Sequence, residues 1–492
     1  MLIRENLRLK ANARDEELIL SAYEKWGEDC VQHLTGDFAF AIWDERSQRL
    51  FCARDHFGVK PFFYTYIDGN FNFSSRLNDL RPEVSSTLNE IAVGDYLLFG
   101  VNQDNSTTIF KDIQRLPPAH TLTVANNEIK IRRYWTPSLT AKVRYRDNES
   151  YIEHFLELLS RAVRDRLHTD RVAISMSGGL DSTSLAAIAS EHAEVAAFTV
   201  VYDSLIPDEE RSYSELAAKH LGIPVTHLNA DQYSLFDGEM DQAEPFLLSV
   251  LTGQFNDLLR LCAGFSPVAL TGYDGDSFMH EPRQSIRTRI RRMLRKADQD
   301  NGFPEWIDDE FARRTNLYER WKEFWANRVD DGKRPAAMRA LNSKIWTSLF
   351  EGYDRGATKL NLDVRHPFLD IRLIEFLLAI PTKPWCVNKH ILRRAMSDKL
   401  PAAVLNRPKT GLMGDPALQL VRRASVRWLD SFEVSPQLRA FVNLNRRRPV
   451  AEEKTSDALW ASLRVFALNY WLTNSQPIGD STCKVDLKPL NR

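Results

Sequence analysis

The sequence predicts an α/β protein built in two units, a front unit of short antiparallel strands and a rear unit with helices around a parallel sheet. Three observations carry this. A chain of 492 residues is too long for one core, since single cores rarely grow beyond ~250–300 residues. From Asp37 to Trp135 short apolar and aromatic runs are broken by turn residues. From Asn148 onward the rhythm changes to apolar runs separated by helical stretches.

In chain order, Glu16 to Trp26 reads as a helix. Phe38-Ala39-Phe40-Ala41-Ile42-Trp43 is an apolar strand run, Asp44 to Ser47 a polar turn, and Leu50 to Ala53 the next strand. Phe62 to Ile67 and Phe71 to Ser74, joined by Asp68-Gly69-Asn70, predict a hairpin. The boundary falls between Pro137 and Asn148, giving units 1–140 and 150–492. In the rear unit Val172 to Met176 is a buried-strand run, followed by a Gly-Gly turn and a helix from Ser182 to about His192. Val195 to Tyr202, a helix around Tyr213 to Leu221, Pro224 to Leu228 and Val268 to Leu270 continue the alternation. Beyond Gly272 the pattern is mostly helical, with Ile374 to Leu378 ending near Pro381.

Basic and acidic residues nearly balance, 65 against 66, for a formal charge of −1. Such a chain has no net drive toward nucleic acid or anionic membrane, and neither is expected as a partner. Cys30, Cys52, Cys262, Cys386 and Cys483 are scattered singly, which predicts a reducing compartment and no zinc site. No apolar run approaches the ~18 residues of a membrane span. Met1 to Asn6 lacks the apolar core of a secretion signal. A cytoplasmic protein is the expectation.

The sharpest signal is Ser177-Gly178-Gly179-Leu180-Asp181-Ser182, between a strand and a helix. Adjacent glycines let backbone N–H groups approach a phosphate chain, and the helix behind them points its positive end at the same place. Serine hydroxyls add donors, and Asp181 suits the Mg²⁺ that accompanies ATP. The lysine-bearing loop G-x-x-x-x-G-K-[ST], which grips the γ-phosphate, is absent. A lysine-free loop suits a pyrophosphate leaving group while the α-phosphate is attacked.

This loop resembles the pyrophosphatase loop of the asparagine-synthetase family, and the resemblance runs along nearly the whole chain. Phe38 to Asp44, Ala53-Arg54-Asp55-His56-Phe57-Gly58-Val59-Lys60-Pro61 and Arg115-Leu116-Pro117-Pro118 are similar to its glutaminase domain. Arg365-His366-Pro367-Phe368-Leu369-Asp370 and Asn406-Arg407-Pro408-Lys409 are similar to its synthetase domain. The resemblance implies a truncated Ntn-hydrolase-like α+β domain over 1–140. Over 150–492 it implies a Rossmann-like adenine-nucleotide alpha-hydrolase domain with a helical C-terminal part. It further implies a ligase that uses ATP and Mg²⁺, adenylates a carboxylate and makes an amide from it, with release of AMP and pyrophosphate. A homodimer is the expected assembly.

Carried over residue by residue, the resemblance assigns Ser177, Gly178, Gly179, Asp181 and Ser182 to pyrophosphate. It assigns Phe198, Thr199 and Val200 to adenine and ribose, with Gly272 at the nucleotide. Asp276, in Thr271-Gly272-Tyr273-Asp274-Gly275-Asp276, becomes the second metal-binding acid beside Asp181, and Lys409 the cation that neutralises phosphate charge. Arg365, Asp370, Asp354 and Arg355 read as supporting ion pairs.

Two departures stand out. Leu2 occupies the place of the family's nucleophilic cysteine, and leucine cannot replace a thiolate, so glutamine hydrolysis is not expected of this chain as written. Tyr273 stands where asparagine synthetases carry a glutamate beside the amine. A tyrosine is a poor base near neutrality, and Asp274 is the acid that compensates for it in this reading. Similar departures occur in beta-lactam synthetases and lasso-peptide cyclases, whose substrates supply their own amine. The basic run Arg283, Arg287, Arg289, Arg291, Arg292, Arg295 and Lys296, followed by Trp306, Trp321 and Trp325, reads chiefly as an amphipathic helix pair and secondarily as a surface for an acidic peptide. Expected partners are a carboxylate substrate and an amine donor.

Overall fold

A computed structural model describes residues 7, 13–238, 243–246, 250–281, 302–327, 334–408, 414–423, 429, 432–474 and 483–485. Leu2, Lys409 and the basic run from Arg283 to Lys296 lie outside the described residues.

The front unit opens with α1 (Asp15–Trp26), which has Asp15, Glu16 and Glu17 in its first turn and Lys25 in its last, the arrangement a helix dipole favours. Strands β1 (Ala39–Asp44), β2 (Arg49–Arg54), β3 (Phe63–Ile67) and β4 (Asn70–Ser74) follow, then α2 (Glu90–Phe99), β5 (Gln114–Arg115), β6 (His120–Ala125) and β7 (Glu128–Arg133). One antiparallel sheet runs β1-β2-β6-β7, and β3 and β4 pair antiparallel as the hairpin read from sequence. Leu50, Cys52, Phe71 and Leu122 fill the space between the sheets. The buried Cys30 and Cys52 are core thiols, and burial raises both.

The rear unit begins with α3 (Asn148–Arg164), capped by the Asp147 carboxylate accepting from Ser150 N. β8 (Arg171–Ser175), α4 (Leu180–Ala189), β9 (Glu194–Val201), α5 (Glu210–Leu221), β10 (Val225–Asn229), α6 (Thr252–Phe265) and β11 (Val268–Thr271) alternate as expected. A short further strand, β12 (Asp363–Arg365), completes a parallel sheet in the order β10-β9-β8-β11-β12. Val172, Ala173 and Ile174 are fully buried, and they share one core with Leu185, Ile188 and Leu373. The chain leaves β8 to one side and returns at β11 on the other. Open α/β sheets place ligand crevices at such a reversal, beyond the carboxyl ends of the strands.

The helical part includes α7 (Leu317–Asn327), α8 (Ile345–Tyr353), α9 (Ile371–Ala379), α10 (His390–Ala395), α11 (Ala402–Asn406) and α12 (Ser456–Asn474). Two of the tryptophans proposed for a peptide surface are engaged elsewhere. Trp306 is buried, and Trp321 stacks on Phe99 of the front unit. The stretch between Glu281 and Arg334 is fastened at both ends by their buried ion pair, 3.3 Å.

Charged groups tie front to rear. Arg166 meets Asp37 at 3.2 Å and Asp370 at 2.9 Å, Lys60 meets Asp363 at 2.6 Å, and Arg115 pairs with Glu351 at 2.9 Å and with Glu244. Arg365 joins Asp363 at 2.7 Å. No helix among the described residues is long and apolar enough to cross a membrane.

Candidate functional site

The site grows from two strand ends on either side of the sheet's reversal. After β8 the chain turns at Gly178 with φ of +66°, and an added Cβ there would stand 2.6 Å from Ser214 N. Only glycine fits. Gly179 then begins α4 with extended backbone and no side-chain cap, which leaves first-turn N–H groups available to an anion. Ser182 Oγ accepts from Ser177 N at 3.2 Å and holds the loop closed on the helix.

After β11 the chain makes a second tight turn against the same helix start. A Cβ on Gly272 would lie 2.9 Å from Ser182 N, and one on Gly275 would lie 2.6 Å from Asp181 Cγ. This crowding sets Asp276 opposite Asp181. Lys389 Nζ lies between them, 2.5 Å from Asp181 Oδ2 and 2.6 Å from Asp276 Oδ1. Lys389 reaches this place from a backbone with φ of +56°, after Asn388 at +52°, and its N–H is anchored on Met279 O at 2.8 Å. Consecutive left-handed non-glycine residues are uncommon, and such strain collects at functional sites.

These groups line one cavity of about 980 Å³. Phe198, Val200 and Leu258 form an apolar wall suited to a base, and Ser177, Gly179, Ser182 and Gly272 form a polar floor. Arg407 closes the far side, donating to Ser177 O at 3.2 Å and to Glu210 at 3.0 Å, with its guanidinium 4.1 Å from the Tyr213 ring centre. The donor chemistry fits a hard divalent cation. Two carboxylate oxygens already share one positive charge, and the lysine ammonium marks where a cation is favoured.

Several residues expected at the site meet here: Ser177, Gly179, Asp181, Ser182, Val200, Gly272, Tyr273 and Asp276 all line the cavity. Thr199 does not. Its hydroxyl is spent on Met176 O at 2.6 Å, because side chains alternate along a strand and Phe198 and Val200 take the cavity face. Tyr273 is half-buried, and its phenol accepts from Tyr353 Oη at 3.1 Å; the burial it has raises its pKa, which removes it further from base chemistry. Asp274 turns away from the cavity into a second chamber. Burial pushes its carboxyl up to about 7, with the like charges of Asp276 and Asp181 adding to the shift. Asp370 holds Arg166 and Arg372 and is an ion-pair residue, as read from sequence. Asp354 caps a short helix through Gly356 N.

Lys389 is the group the sequence reading missed. Its motif, Asn388-Lys389-His390-Ile391-Leu392-Arg393, carries no glycine and no spacing that marks a phosphate site. Asparagine alone hinted at a left-handed turn.

Comparison with known proteins gives matches over both units. The sequence profile described as "Asparagine synthase" matches residues 154–473, and that described as "Glutamine amidotransferase domain" matches residues 2–135. "Asparagine synthetase [glutamine-hydrolyzing] 3" of Bacillus subtilis is 29% identical over 469 residues, covering 82% of this chain and 73% of the relative. A second Bacillus subtilis protein, "Asparagine synthetase [glutamine-hydrolyzing] 2", is 27% identical over 80% of this chain, which spans 58% of that relative's length. A "Putative asparagine synthetase [glutamine-hydrolyzing] 2" of Methanocaldococcus jannaschii is 35% identical over 188 residues, 37% of this chain and 36% of its own.

Proposed function

The chain belongs to the asparagine synthase family, and on that footing we propose that it is an ATP-dependent, amide-forming ligase that adenylates a carboxylate. ATP lies along the cavity with its base against Phe198, Val200 and Leu258, and its phosphates over the uncapped start of α4. Asp181 and Asp276 would hold Mg²⁺, which when bound would supply charge neutralisation for pyrophosphate. Lys389 and Arg407 stand beside the same phosphates and stabilise the negative charge that develops as the α-phosphate is attacked. The substrate carboxylate takes AMP, and an amine then displaces it. Lys409 is assigned to the same charge-stabilising role.

The observation that carries this reading is the pair of facing carboxylates bridged by Lys389 at an open helix start. Aspartate is the default acyl substrate and ammonia the default amine. Incubation with ATP, Mg²⁺, aspartate and ammonia should yield asparagine, AMP and pyrophosphate, and Asp181→Asn should remove pyrophosphate release. Absence of ATP–pyrophosphate exchange with every carboxylate tried would sink the ligase reading.

A second reading has an observation in its favour. Tyr273 and Tyr353 present a phenol pair where an amine-side carboxylate is expected, as suits relatives that close an intramolecular amide. Under a lasso-cyclase-like or lactam-forming reading, aspartate elicits no pyrophosphate release and a peptide or amino-acid derivative does.

A further inference from the structure

The two cations beside the phosphate floor sit on separate pieces of backbone. Lys389 stands just before α10 at φ of +56°, and Arg407 stands just past the end of α11. Neither place is favourable for the chain on its own. Asn388 and Lys389 are two left-handed non-glycine residues in a row, which costs conformational energy. The last carbonyls of a helix such as α11 lack partners within it.

Arg393 holds both pieces. It lies on α10, lines the same cavity and is half-buried. Its three guanidinium nitrogens each donate to a carbonyl: Nε to Asn388 O at 2.9 Å, Nη1 to Leu405 O, and Nη2 to Arg407 O at 3.1 Å. One contact pins the residue before Lys389. The other two satisfy carbonyls at the end of α11, and one of these belongs to Arg407 itself. All three acceptors are main-chain, so the contact fixes backbone rather than a mobile side chain. A guanidinium is planar with fixed N–H directions, and it holds the three carbonyls at set positions relative to one another.

From these two anchored pieces Lys389 reaches Asp181 and Asp276, and Arg407 reaches Ser177 O and Glu210. We propose that Arg393 is a positioning residue for adenylation, which acts through Lys389 and Arg407 by setting the spacing of their two charges across the phosphate floor. This inference rests on the ligase reading, to which it adds the group that keeps both cations in register.

The test is a double-mutant cycle on the full chain, read as ATP–pyrophosphate exchange and as calorimetric binding of inorganic pyrophosphate with Mg²⁺. Arg393→Gln lowers kcat for exchange by ~10–100-fold with KM for ATP changed less than about threefold, since a misplacement of ~1 Å costs up to ~10²-fold. In the Lys389→Met background the same substitution costs less than about a fifth of that factor, because one of the two groups it places is already gone. Arg393→Lys recovers little, because a point charge cannot replace the three-pronged fork. It keeps the positive charge and covers the case in which Arg393→Gln fails to fold. Equal fold-losses in the two backgrounds, or a raised KM with kcat intact, overturn the proposal. A wild-type chain that binds pyrophosphate but shows no exchange with any carboxylate loses the ligase reading alone. The cycle is then scored on pyrophosphate affinity: a loss of at least about threefold that shrinks in the Lys389→Met background upholds the placement. Equal loss in both backgrounds, or no pyrophosphate binding by wild type, overturns it.

Discussion

Two carboxylates facing each other at the head of one helix repel unless a cation lies between them, and Lys389 supplies that cation at 2.5 and 2.6 Å. The same ammonium lies beside the floor on which phosphates are proposed to rest. Replacing it with methionine keeps the length of the side chain and removes the charge. Lys389→Met should lower ATP–pyrophosphate exchange by ~10²–10³-fold, the usual cost of removing one fixed charge from a developing anion. Lys389→Arg should restore part of it, and unchanged exchange in the methionine variant would remove Lys389 from the reaction. Asp181 and Ser182 could be read from sequence because the glycine-serine-acid cluster has a chemistry of its own. Lys389 could not, because its role comes from backbone strain and from contact with residues more than 100 positions away.

At the scale of elements, the pyrophosphate loop depends on one backbone angle. Gly178→Ala would force a Cβ against Ser214 N and Tyr213 at +66° of φ. Expected is a loss of more than ~1 kcal/mol of stability, as for any alanine placed where φ is positive, together with weaker ATP binding; denaturant titration and nucleotide affinity check both. Full affinity would mean that α5 yields and the loop needs no such closeness. The strands that carry the loop were legible because parallel strands are buried on both faces and read as continuous apolar runs. β12 was not legible. Asp363-Val364-Arg365 is a single apolar residue between charges, and it pairs at the sheet edge, where its acid meets Lys60. Thr199 was misplaced for a related reason, since a run of three site residues ignores the alternation of a strand.

Across the whole molecule, buried ion pairs join the two units. Burial raises the Asp370 carboxyl, but hydrogen bonds from Arg372 and the Arg166 charge outweigh it and bring it down to about 2. Its unfolded value is near ~3.9. The folded carboxylate therefore contributes stability that is present above ~pH 4 and is lost as pH falls toward 2. Asp370→Asn should cost ~3–5 kcal/mol at neutral pH, since it leaves the buried Arg166 less well matched. It should also flatten the acid limb of the stability curve, which unfolding midpoints between pH 2 and 7 would show; a curve parallel to wild type would discount the pair. Two units were legible in the change of rhythm near Asn148. Their mode of joining was not, because Arg54, Arg115 and Arg166 look like surface cations until the fold buries them.

Glu281 and Arg334 stand 53 positions apart yet meet in the core, where the guanidinium also donates to the carbonyls of Phe278 and Leu377. The chain between them is clasped in its middle as well, for Phe311 and Leu317 are fully buried, Arg320 meets Asp95 at 2.6 Å and Trp321 stacks on Phe99. Trp306, Ile307, Phe311 and Leu317 share one core with Val93, Leu97 and Phe466, so a change within this stretch is felt in the packing of the front unit, while the Glu281–Arg334 clasp keeps the chain a few residues beyond Asp276 in place.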